Sequence, residues 1–207
     1  MYKKHCLGII APAMRADMEV FRRGVMFAIC SIRQPTINVP DQLAILFDGE
    51  QDESPLFGHR FDAWAYISDN AKCAALWAHV RCFGIDGAWH DPQDDCENAI
   101  TALLRVPGLG IVKAAFVAQL MGFNVACLDS RNVKREGRNP RAYETRGTKG
   151  GRKFSPAMVE RYVAETYGRA EEYWNAWCCG VAEAYKRTPE EISALHLAII
   201  PPNYVPF

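Results

Sequence analysis

Two glycines spaced by one residue, in Leu104-Arg105-Val106-Pro107-Gly108-Leu109-Gly110-Ile111-Val112-Lys113-Ala114-Ala115-Phe116, are the first residues here whose spacing suggests chemistry. Gly108 and Gly110 permit a tight turn and leave the amide N–H groups of the following helix uncovered, a geometry suited to holding one phosphate group. A second feature follows that helix. The apolar run Val125-Ala126-Cys127-Leu128 ends abruptly at Asp129-Ser130-Arg131-Asn132, which places a carboxylate at a helix start beside the hairpin. A third follows directly. Between Arg131 and Lys153 nine basic side chains, among them Lys134, Arg135, Arg138 and Arg141, face two acidic ones, Glu136 and Glu144, a net +7. Glycines and Pro140 mark this stretch (about 131–153) as a loop, and an arginine-dense glycine-rich loop suits contact with a phosphate backbone. A solvated charged loop with no partner is the plainer alternative.

The elements that must position these groups read as helices. Met14, Met18, Phe21, Val25, Ile29 and Ile32 fall at intervals of three and four, the stripe of one helix ending before Pro35. Ser68 is expected to cap a second helix through Ala71, Ala75, Ala78 and Cys82 to Gly84. A third spans Asp91 to Arg105, with Pro92 in its first turn. The helix-hairpin-helix unit then occupies about 92–122. Further helices are expected from Ser155-Pro156, through Tyr173, Trp174 and Trp177 to about Lys186, and from Thr188-Pro189. The segment Ile199 to Phe207 reads as a surface tail. No alternating run is convincing as a strand, so the expected fold class is all-α, with residues 1–207 as a single helical domain.

With 207 residues, 49% hydrophobic and 23% charged, the composition excludes disorder and collagen. Its 24 basic and 24 acidic side chains balance, so a net +7 at 131–153 implies about −7 elsewhere. The opening has only a very short apolar run and no window approaches a membrane span, so a cytoplasmic protein with no membrane partner is expected. The eight cysteines include no C-x-x-C pair and are expected to be reduced thiols packed as small hydrophobes. No residue cluster calls for a metal or an organic cofactor.

The stretch from Leu104 to Asn132 resembles the helix-hairpin-helix DNA glycosylase superfamily, with its L-P-G-[VI]-G hairpin, alanine-rich helix and [VI]-D-[TV]-H segment. That likeness implies Asp129 as the catalytic carboxylate and Gly108 and Gly110 as the hairpin glycines. The Schiff-base lysine of bifunctional members would fall at Val112, whereas Lys113 stands one place later, about 100° round the helix. Arg131 replaces the usual histidine, and the iron–sulfur cysteines of some members are absent. Gly-Leu-Gly-Ile-Val-Lys-Ala-Ala-Phe followed by Cys-Leu-Asp-Ser-Arg-Asn is more similar to the phage amino acid:DNA transferases of thymidine hypermodification, the glutamyl/putrescinyl thymine pyrophosphorylase-like branch.

This second resemblance implies DNA carrying phosphorylated 5-hydroxymethyluracil as partner, a free amino acid (glycine first) as donor, and protection of a viral genome from host restriction as outcome. Lys113 and Arg131 would take the growing charge of the leaving phosphate. Asp129 would accept the proton of the incoming amine. Asn132 would orient that carboxylate, bind phosphate or cap the helix. The base would leave the duplex stack to be reached, with Trp64, Trp77 and Trp89 as candidate pocket walls. His59 and His90 are weaker acid–base candidates, His196 reads as structural, and Asp69-Asn70 as a capping pair. Two other readings stay open: a monofunctional DNA glycosylase using Asp129, and a non-catalytic DNA-binding module.

Overall fold

A computed structural model describes residues 2–31, 36–44, 47, 84–90, 94–106, 109–139, 142–143 and 154–205. The expected helix at 68–84, Trp64, Trp77, His59, Asp69, Asn70, Gly108 and Arg141, and the basic stretch 144–153, lie outside the described residues. Those described are helical without strands: α1 (Tyr2–Ala16), α2 (Met18–Cys30), α3 (Val39–Leu43), α4 (Gly84–His90), α5 (Cys96–Leu103), α6 (Ile111–Leu120), α7 (Ser130–Arg135), α8 (Pro156–Thr166), α9 (Ala170–Tyr185) and α10 (Pro189–Ala194), with 3-10 turns at Thr36–Asn38 and Leu195–Ile199. The all-α class therefore stands. No helix among the described residues is long and apolar enough to cross a membrane.

The centre of the fold is α6, whose sequence IVKAAFVAQL is apolar on nearly every side. A helix apolar all round must be enclosed, and α1, α2 and α5 pack around it. Val112 and Lys113 are its only partly exposed residues, and Lys113 is its only charged one. Where α1 crosses α2, the missing Cβ of Gly24 leaves room for the side chain of Met14, whose thioether end occupies that space. Of the six described cysteines, Cys6, Cys30, Cys96 and Cys178 are buried within this core, Cys127 is half-buried and Cys179 is exposed, so packing as a small hydrophobe does not hold for the last.

Several boundaries differ from those expected. The stripe from Met14 to Ile29 is split between two helices, because Asp17 adopts an extended backbone and its carboxylate accepts from Glu19 N and Val20 N, a local cap that outcompetes continuation. Pro12 lies inside α1 on its exposed side, where water can take the carbonyl it leaves unpaired. The helix expected from Asp91 starts instead at Cys96, capped by Asp95, and Gly84, where a helix stop was expected, opens α4. Arg131, Lys134 and Arg135 belong to α7 rather than to a loop. At the C-terminus Ile199 is buried, so the tail begins one residue later than expected. Ser155 and Thr188 cap α8 and α10 as their sequences suggest, the latter through a full capping box.

After α6, Gly122 takes a left-handed backbone (φ +89°) that an L side chain would strain. Arg15 seals this turn from α1, its Nε donating to Met121 O at 2.7 Å. The chain then runs through Val125 to Leu128 in non-helical conformation, with Val125, Ala126 and Leu128 buried. Its polar backbone groups have no helical partners, and buried ones must find others. Tyr162 of α8 supplies two, accepting from Leu128 N at 2.9 Å and donating to Ala126 O at 3.0 Å. Gln119 accepts from Cys127 N at 3.2 Å and donates to Ala170 O at 2.8 Å. Asn132 donates to Cys127 O at 3.1 Å and Tyr173 O at 3.4 Å. Tyr162→Phe keeps the ring but leaves Leu128 N–H and Ala126 C=O without it, so a loss of about 2 kcal/mol is expected in urea unfolding.

Candidate functional site

The clamped segment delivers Asp129 to the start of α7, near enough to Lys113 of α6 for each charge to be felt by the other. Asp129 is the helix cap, its Oδ1 accepting from Asn132 N at 2.8 Å. Lys113 Nζ donates to Ser31 Oγ at 2.6 Å, and that hydroxyl donates in turn to Ala28 O at 2.7 Å. The ammonium also lies 5.3 Å from the centroid of Phe116, within range of a cation–π attraction. Lys113, Asp129, Cys127 and Ser31 are all half-buried, so the group is in contact with solvent while standing on a closed core.

Charge in this position is costly, and each group responds. Burial pushes the Asp129 carboxyl above its usual range, opposed by the Asn132 N–H and by Lys113 and Arg131. Burial lowers the Lys113 amine, opposed chiefly by Cys127 and Asp129. Cys127 is pushed up to about 12 by burial and the neighbouring Asp129 charge, so it is a neutral thiol at pH 7. Asp129 and Lys113 thus influence each other, yet neither has an ion-pair partner among the described residues. An acid and a base within electrostatic reach of each other, with no ion pair closed among the described residues, are able to act on one substrate.

The wall behind Lys113 is aromatic and comes from α2, α6, α9 and the last 3-10 turn. His196 lies at its centre, with ring centroids 4.7 Å from Phe27, 5.8 Å from Phe116, 4.6 Å from Trp174 and 5.6 Å from Trp177. Ser193 fixes Trp174, its Oγ accepting from the indole Nε1 at 3.2 Å. Arg23, buried in α2, holds the turn that carries His196, donating to Ile199 O and Ala198 O at 3.0 Å each. None of Ser31, Cys127, Trp174, Trp177 or His196 was singled out for the site from the sequence. Their spacing carries no local signal, because they converge only through tertiary packing. Trp89 is not part of this wall, since its Nε1 donates to Met14 O at 3.2 Å and its ring packs beside the exposed His90.

The remaining expected residues are distributed around α7. Asn132 is buried with its amide on two main-chain carbonyls, so it secures Asp129 from below and has no free hydrogen for phosphate. Arg131 is exposed and donates to Gly180 O at 3.2 Å. Gly110 caps α6 with extended backbone and no side-chain cap, which leaves the first amides of that helix without a capping side chain. Arg135 and Arg138 are not idle cations: Arg135 pairs with Glu172 at 3.2 Å, and Arg138 with Glu136 at 2.5 Å and Glu165 at 2.6 Å. Arg169 joins them through Glu136 and Glu172, and the guanidiniums of Arg135 and Arg169 lie over Tyr173. Lys134 is exposed. Among the described residues no group of histidine, cysteine and carboxylate side chains is arranged to hold a metal.

Comparison with protein-family models, with curated proteins and with solved structures yields no match to this chain.

Burial lowers His196 from 6.5 to about 4. The unfolded chain binds its proton below pH 6.5 and the folded chain only near about 4, so stability is fully present above 6.5 and lost as the pH falls towards 4. About 3 kcal/mol is expected from this one group. In urea titrations across that window, His196→Phe should flatten the pH dependence by that amount.

Proposed function

We propose that this protein transfers an amino acid, glycine first among candidates, onto phosphorylated 5-hydroxymethyluracil in DNA, displacing phosphate. The observation that carries the reading is that the half-buried Lys113 and Asp129 feel each other's charge on a closed core without an ion pair among the described residues. The amine nitrogen forms a bond to the 5-methylene carbon as the carbon–oxygen bond to phosphate breaks, and the electron pair leaves with the phosphate. The proton released from the new ammonium passes to Asp129, whose raised proton affinity suits it as acceptor. Lys113 donates an N–H to the leaving phosphate. The approach of that dianion itself favours the charged amine, offsetting the effect of burial.

A second reading has its own support. Asp129 is fixed by backbone N–H groups of its own helix start, Oδ1 accepting from Asn132 N. A carboxylate held in this way can equally orient a water and stabilise an oxocarbenium-like sugar, the task of a monofunctional glycosylase. Nucleoside mass spectrometry on duplex DNA carrying phosphorylated 5-hydroxymethyluracil, incubated with mixed amino acids, separates the two. An amino acid adduct, lost in both Lys113→Ala and Asp129→Asn, is the expected result. Abasic sites would establish the glycosylase, while unaltered DNA that is nevertheless bound would leave a binding module.

DNA contact is assigned to the exposed cations Lys134 and Arg135 of α7 and to the half-buried Arg138 just after it. Arg135 must exchange its carboxylate for phosphate, which is feasible because exposed ion pairs are worth only about 0–1 kcal/mol each, whereas the half-buried Arg138, held by Glu136 and Glu165, gives up its partners less readily. Lys134 has no such exchange to make. Lys134→Ala should lower the log–log salt slope of DNA affinity by about one unit, as read by fluorescence anisotropy between low and physiological salt.

A further inference from the structure

His196 is the most enclosed polar side chain near the candidate site. It has no exposed surface, and it is surrounded by Phe27, Phe116, Trp174 and Trp177. Its two nitrogens are not equivalent. Nδ1 lies 3.0 Å from Ser193 O, and a carbonyl only accepts, so Nδ1 carries the hydrogen of the neutral ring. Nε2 is then a bare lone pair, and it has no hydrogen-bond partner among the described residues. A buried acceptor left unpaired is costly, and the cost is recovered when a ligand brings an N–H to it. Phe116 connects this acceptor to the reacting groups, since the same ring carries Lys113 Nζ at 5.3 Å and the edge of His196 at 5.8 Å.

We propose that His196 Nε2 reads the N3–H of a uracil-type base, with Phe116, Trp174 and Trp177 as the apolar faces against which that base lies. This rests on the reading above that a base leaves the duplex and enters beside Lys113. Trp177 is half-buried where Phe27 and Trp174 are buried, so the proposal requires this ring to turn aside for the base to reach His196. In a uracil ring N3–H and the 5-methylene carbon flank one carbonyl. A base whose N3–H meets His196 therefore carries its reactive substituent on the adjoining edge, in keeping with Lys113 and His196 sharing Phe116. Cytosine has a lone pair at N3, which would face the lone pair of Nε2 and leave both unpaired. Exclusion of cytosine-type bases follows from the same atom that accepts uracil-type ones. Because burial keeps the imidazole neutral down to about pH 4, it remains an acceptor at physiological pH.

The test compares three otherwise identical duplexes carrying 5-hydroxymethyluracil, its N3-methyl derivative or 5-hydroxymethylcytosine, with affinity measured by anisotropy and base extrusion by the fluorescence of a neighbouring 2-aminopurine. The wild-type protein is expected to bind and extrude the first at least roughly tenfold better than the other two. In His196→Phe, which keeps an aromatic ring in the wall, that preference should disappear. Should this variant fail to fold, the N3-methyl comparison on the unaltered protein still decides the matter. Equal binding and extrusion of all three bases would overturn the role of His196 while leaving the reading of the site intact. No binding of any of the three, nor of a fourth duplex carrying phosphorylated 5-hydroxymethyluracil, would overturn both.

Discussion

The structure depends on a stretch of non-helical backbone buried within a helical core. Residues 125–128 cannot satisfy their own peptide groups, and no strand lies beside them among the described residues. Side chains from α6, α7 and α8 do so instead: Gln119, Asn132 and Tyr162 bind the N–H and C=O groups of residues 126 to 128. Since Asp129 is the next residue, the polar contacts that make this segment tolerable also fix the carboxylate. Stability and placement of the candidate site are one problem in this fold. Gln119 and Asn132 extend the same bonding to Ala170 and Tyr173 of α9, which brings the aromatic wall into register with the carboxylate.

The carboxylate side and the amine side of the site are held in different ways. Asp129 is fixed by a helix cap and the backbone contacts beneath it, whereas Lys113 extends from a nearly all-apolar helix and is secured by one hydroxyl and one ring face. Burial disfavours charge on both. A carboxylate that holds its proton more strongly and an amine that holds its proton more weakly are closer in proton affinity than the same two groups in water. A proton moving between such groups, or through a substrate between them, meets a smaller difference in free energy. The nearby Cys127 thiol contributes no charge at neutral pH.

What could be read from the sequence was local. The caps at Ser155 and Thr188, the apolar helix after Gly110, and Asp129 at a helix start all depend on residues within three or four positions of each other, and all are seen. The stripe from Met14 to Ile29 misled because periodicity persists across a break of one residue, and Asp17 as a cap decides against continuity. The basic run misled in a different way. Composition made Arg135 and Arg138 look uncommitted, but carboxylates from α8, α9 and the end of α7 converge on them. The aromatic wall was not legible at all. His196 and Lys113 are far apart in sequence, and only the packing of the last turn on α2 brings them together.

That last turn also constrains how the chain matures. Cys6 near the beginning receives a hydrogen bond from Ser193 near the end, at 3.3 Å, and Arg23 binds the carbonyls of Ala198 and Ile199. Contacts spanning so much sequence close late in folding, because the intervening chain must first be ordered. On the ribosome the N-terminal helices and α6 emerge long before residues 193–199. Throughout that interval the apolar faces of Phe27 and Phe116 have no His196 to cover them. Synthesis of the final turn is therefore the step at which the candidate site first comes into being, and a nascent chain halted before it presents an open, adhesive core to chaperones.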